Sequence, residues 1–194
     1  MLATLAFGAD LRADSMPDQT VARDVDGHAY QIIEVGGQRW FAENLRVSRA
    51  EDGTALLTFA PNAESANVQR YGFLYSWQSA NLACPQGYHL PTDEEWSAFE
   101  LAVSADHGLQ LGNPTVWRLP VAGHADVESF AALPAGYAND AGLDNLFGQR
   151  AVFWSATADG DEFAWARSMR MDAAQLERAS QHPHYGFSVR CVAN

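Results

Sequence analysis

"CPQGYHLPTDEEW" runs from Cys84 to Trp96. A cysteine, a Pro/Gly turn and a short apolar stretch lead straight into a helix start. Thr92 can cap, and Glu95 three residues on completes a capping box. Trp96, Phe99, Ala102 and Val103 then share one helical face, and Gly108 is a natural stop. Asp93 and Glu94 lie with Glu95 in the first turn, where the helix dipole favours acids; capping accounts for all three, so they are not read as paired catalytic carboxylates. One of only two cysteines in the chain stands at the mouth of this helix.

Upstream, "TVARDVDGHAYQIIEVGGQRWFAENL" reads as two consecutive hairpins. Asp26-Gly27 and Gly36-Gly37 are two-residue turn signals between β-prone runs. "DVDG" has the first letters of a calcium loop, but the remaining ligands are absent and a plain turn is the reading. Ser48 to Arg70 is polar, broken by Gly and Pro, and expected to be a long surface connection. In "YGFLYSWQSANLAC", Leu74, Trp77 and Ser76/Ala80 fit a short helix with one apolar face. Downstream, Gly108 to Gly148 is loop-like. "AVFWSAT" and "DEFAWARSMRM" are strand-like. The second alternates Phe163, Trp165, Arg167, Met169 and Met171 against Ala164, Ala166, Ser168 and Arg170. "YGFSVRCV" alternates too, with Phe187, Val189 and Cys191 on a face expected in the core.

The 194 residues suit one domain, taken as 19–194, preceded by a tail or leader remnant at 1–18. Apolar content of 47% with 19% charged residues reads as globular. No stretch approaches the roughly 18 consecutive apolar residues of a membrane span. The formal net charge is −12 and every basic residue is Arg. Such a surface repels phosphate backbones, which argues against nucleic-acid binding. Without Lys, Schiff-base and P-loop chemistry are excluded.

"RWFAENLR", "YGFLYSW", "CPQGYHLPTDEEW", "SFAALPAGY", "FWSAT" and "YGFSVRCV" occur in that order. Together they resemble the Fibrobacter succinogenes major paralogous domain, a bacterial family of largely secreted or surface proteins. "GYHLPTDEEW" is also similar to a stretch of sulfatase-modifying factors, which make formylglycine. Both resemblances imply an α+β, C-type lectin-like fold: two helices packed on twisted antiparallel sheet with long loops. They also imply a disulfide between Cys84 and Cys191, closing a loop of over a hundred residues. Chain entropy assigns such a bridge about 4–5 kcal/mol. The implied location is extracellular or at the cell surface, the periplasm included. Two reduced, buried cysteines in a cytosolic protein are the alternative.

No catalytic residue, metal site or cofactor is assigned. His182 and His184 are two apart but lack an obvious third ligand, and there is no "GxSxG" nucleophile. The tripeptides of calcium-dependent sugar binding are missing. In sulfatase-modifying factors a reactive cysteine pair does the chemistry; here both cysteines fall where the bridge is expected. What remains is a ligand-binding face ahead of the final strand, the region diversified by retroelements in some C-type lectin-like proteins. Asp159, Asp161, Glu162, Phe163, Trp165, Arg167, Met169, His182, His184 and Tyr185 are its candidates, a mix that interfaces favour. The expected function is a non-enzymatic receptor- or adhesin-like module for a protein or glycan on a cell or phage-host surface. A formylglycine-type oxidoreductase and a structural surface domain are the competing readings.

Overall fold

The computed structural model describes residues 20–105, 130–139, 144–170 and 176–194. The N-terminal tail, His107, Gly108, His124 and Met171 lie outside them. The chain opens with β1 (Val21–Arg23), β2 (Ala29–Val35) and β3 (Gln38–Phe41), then β4 (Thr58–Phe59), two 3-10 turns, α1 (Val68–Tyr71) and β5 (Leu74–Tyr75). Next come α2 (Trp77–Ala83), β6 (Tyr88–His89) and α3 (Asp93–Ala105). After them run β7 (Tyr137–Ala138), β8 (Asp144–Asn145), β9 (Arg150–Asp159), β10 (Phe163–Arg170), β11 (Leu176–Gln181) and β12 (Val192–Ala193). This is an α+β architecture. Among the described residues, no helix is long and apolar enough to cross a membrane.

Local chemistry builds the N-terminal part as expected. Asp24 Oδ1 accepts from the Asp26 and His28 backbone N–H groups, closing the first hairpin turn. Gly36 and Gly37 both have positive φ, the requirement of a tight hairpin turn. Gly36 is needed for a second reason: a Cβ there would sit 2.8 Å from the Ala102 Cβ, so the turn lies directly on α3. The α3 capping box forms, with Glu95 N–H donating to Thr92 Oγ1 and Thr92 N–H to the Glu95 carboxylate.

Two expectations are corrected. Ser48–Arg70 is not a plain surface loop, because Ala50 and Leu56 are buried and the segment carries β4. Leu74 is not helical; it pairs with Phe59 in a two-stranded sheet, and the helix begins only after Ser76 caps it. Two turns of sequence could not separate a strand entering a helix from a longer helix.

The main antiparallel sheet has the order β1-β2-β3-β12-β6. Val192 of the last strand pairs with both Trp40 and His89, so the start and end of the domain share one sheet. A second sheet, β11-β10-β9, lies against α3. Between them Trp40, Trp96, Phe99, Phe130 and Phe153 pack with neighbouring ring centroids 4.8–6.3 Å apart. Truncating one such ring costs about 3–5 kcal/mol.

Cys84 and Cys191 are joined, with their Cα atoms 5.8 Å apart across 107 residues. The bridge ties the mouth of α3 to the chain end. Phe187, Val189 and Cys191 are buried as the alternation predicts, but so are Ser188 and Arg190 between them. The segment is therefore enclosed on both sides. Arg190 donates to Asn44 Oδ1 and to the backbone carbonyls of Phe41, Phe130 and Ala131, with its guanidinium 4.3 Å over the Phe130 ring. Burial pushes it down to about 9, so it remains a cation at neutral pH. Its planar fork gathers three chain segments that a neutral side chain could not hydrogen-bond together.

Candidate functional site

The β11-β10-β9 sheet has two unlike faces. In the antiparallel register Arg167 stands opposite Arg178 and Phe153, and Met169 opposite Leu176 and Ala151. This face lies against α3. Arg167 is 1% exposed; its Nε donates to Glu100 and one Nη to Asp93, both at 2.6 Å. A further Nη reaches Ser97 Oγ and the Asp93 carbonyl. Arg178 also grips the Asp93 carboxylate and lays its guanidinium 3.2 Å from the Trp165 ring centroid. Burial pushes the Asp93 carboxyl up, but hydrogen bonds from Arg178 and Arg167 and the charges of both outweigh it, and the net direction is down. Asp93 is thus a hub for two arginines as well as a first-turn acid. Arg167 and Met169 were expected on the display face; both are buried, and they fasten the sheet to the helix instead. Trp165 is half-buried beneath Arg178.

The opposite face joins the core through Val152, Trp154, Ala164 and Ala166 and keeps space only beside its small residues. Ala166, Ser168 and Ala179 form the floor of a pocket of about 120 Å³. Tyr137, Tyr185 and Phe187 wall it, and Arg150, Val152 and Gln181 complete it. Arg150 uses one Nη on Ser168 Oγ (2.8 Å) and Glu177 (2.6 Å), while its buried Nε has no partner.

At the end of the sheet the strands bend. Ala164 pairs with Ala158 but Ala166 with Trp154, so β9 carries extra residues there. These are claimed by the helices: Trp77 Nε1 donates to Ser155 O, Ala156 N–H to Pro91 O, and Asp93 N–H to Thr157 Oγ1. Such a bulge re-aims the hairpin tip. Phe163 (42% exposed) then meets His182, with ring centroids 6.0 Å apart. His182 lies 5.0 Å from His184 and 6.3 Å from Tyr185, and Tyr185 lies 6.1 Å from Tyr137. Pro183 O accepts from Trp77 N–H, anchoring this loop on α2. The His182 Nδ1 is buried without a partner. Among the described residues no three metal-ligating side chains converge.

The structure therefore brings together Phe163, His182, His184 and Tyr185, with Asp159, Asp161 and Glu162 on the adjoining hairpin tip. Sequence reading missed Tyr137, Arg150, Ser168, Ala179 and Gln181. The one signal was the alternation of Ala164, Ala166 and Ser168, whose small side chains leave room above β10. Nothing local marked Tyr137 or Arg150 as neighbours of that space.

A disulfide-tied α+β scaffold, whose second sheet is fastened to α3 on one face and keeps a small pocket on the other, is the class these features define. The chain belongs to the Fibrobacter succinogenes major domain family, whose model matches residues 33–193. No curated protein and no solved structure is significantly similar to it.

Proposed function

We propose that this domain is a non-enzymatic binding module, secreted or displayed at the cell surface, with a C-type lectin-like scaffold. The observation that carries the reading is the continuous strip Phe163–His182–His184–Tyr185 running into the pocket at the edge of the second sheet. Rigid aromatic side chains give contact area at small entropic cost, and a tied frame holds them in place. The presence of the first and last strands in one sheet, the last lying between β3 and β6, supports the lectin-like assignment. Both cysteines are spent in the bridge, which favours binding over thiol chemistry of the formylglycine-forming kind. The ligand is a protein or glycan on another surface. Retroelement diversification of the Trp154–Tyr185 region belongs to the same reading. A neighbouring reverse transcriptase gene and a template repeat differing only at adenines would support it.

Screening the folded domain on glycan and receptor arrays tests the reading. The Phe163→Ala/His184→Ala/Tyr185→Ala variant is expected to bind about tenfold or more weakly while remaining folded. A folded triple variant with wild-type binding sinks it.

A further inference from the structure

Within that binding reading, we propose that the pocket floored by Ala166, Ser168 and Ala179 is a metal-independent subsite for one uncharged sugar ring. Size comes first. Its volume of about 120 Å³ is below the ~150 Å³ of a cavity that encloses benzene, so it takes one face of a single six-membered ring and leaves the ring's substituents outside. A disaccharide would have to project out along Tyr185.

Chemistry selects among six-membered rings. The walls combine Tyr137, Tyr185 and Phe187 with the polar groups of Ser168, Gln181 and Arg150. Aromatic faces suit the C–H side of a pyranose, and the polar groups suit its hydroxyls. A purely apolar ring would take the Gln181 amide out of water without offering it a partner, at a cost. Charge then decides against an anion. Among the described residues Arg150 is the only charged one in the lining, and Glu177 already neutralises it at 2.6 Å. The chain as a whole carries −12. A neutral polyol gains the hydrogen bonds without opposing that field.

The small floor residues make the space. Ala179 is half-buried on β11, the outer strand of its sheet, so a larger side chain there fills the pocket without entering the core.

The test is a titration of the intact ¹⁵N-labelled domain with methyl glucosides, galactosides and mannosides, read by amide shifts. Methyl glucuronide and p-cresol serve as anionic and apolar comparison probes. Saturable shifts at Ala166, Ser168, Ala179 and Tyr185 are expected with at least one neutral glycoside, unchanged by a chelator. Ala179→Leu is expected to weaken them about tenfold or more, and Gln181→Ala by a smaller factor. Tighter binding of glucuronide, binding of p-cresol alone, absence of any glycoside shift, or shifts that survive in folded Ala179→Leu each overturn the proposal. Array binding that stays sensitive to Phe163 and His184 after such a failure would leave the binding-module reading standing.

Discussion

The two faces of the β11-β10-β9 sheet come from the same strands and show the same two-residue alternation; both are covered, but by different partners. On the α3 side, Arg167 and Met169 are 1–2% exposed, and two arginines converge on Asp93. On the other side, Ala166, Ser168 and Ala179 leave a cavity edged by Tyr137 and Tyr185. The α3 side is filled by side chains that pair with the helix; the other side packs Val152, Trp154 and Ala164 into the core and leaves space only beside Ala166, Ser168 and Ala179. The comparison teaches that an aromatic- and Arg-rich strand face is no guide to display. The residues that look most like an interface are partly the fasteners, and the site is made by the residues with least to show.

The sharpest way to break this contrast is Arg167→Ala. It removes a buried guanidinium that joins Asp93 and Glu100; Asp93 keeps Arg178 and Glu100 is a third exposed, so the expected loss is about 2 kcal/mol in a urea titration. A loss below about 0.5 kcal/mol would mean that the helix face is not fastened there. Acid comes next. The Asp93 carboxyl titrates lower in the folded chain than in the unfolded one. Its contribution is complete above the ordinary carboxylate value of ~3.9 and is lost as pH falls through the folded value. Asp93→Asn should therefore flatten the fall in stability below about pH 4 relative to wild type, measured by thermal unfolding across pH. An unchanged acid limb would place the sensitivity elsewhere. The smallest effect belongs to the open end: Phe163→Ala at the exposed hairpin tip should shift stability by no more than about 0.5 kcal/mol. A larger loss would make Phe163 a structural residue and move the face contrast away from the tip.

Short-range features were legible in advance. Asp26-Gly27 and Gly36-Gly37 specify turns because the necessary backbone shapes and side-chain caps lie within a few residues. Thr92 and Glu95 mark the start of α3 for the same reason. The bridge was legible only through family resemblance, since two cysteines 107 residues apart carry no geometric signal of their own. Leu74 was misread because two turns of pattern cannot separate strand from helix. Asp93 was explained by the dipole, which is true locally, but its two arginines come from strands more than seventy residues downstream.

By itself, then, the sequence determined the turns, the start of α3, the strands of the last third and the family. These rest on neighbours within one or two helical turns or on ordered motifs. Only the tertiary structure decided what covers each face of β10, where Arg190 finds its carbonyl partners, and that a pocket exists at all. Alternation says that two faces differ, but burial is set by what packs against each, and a cavity belongs to the space between elements rather than to any one of them.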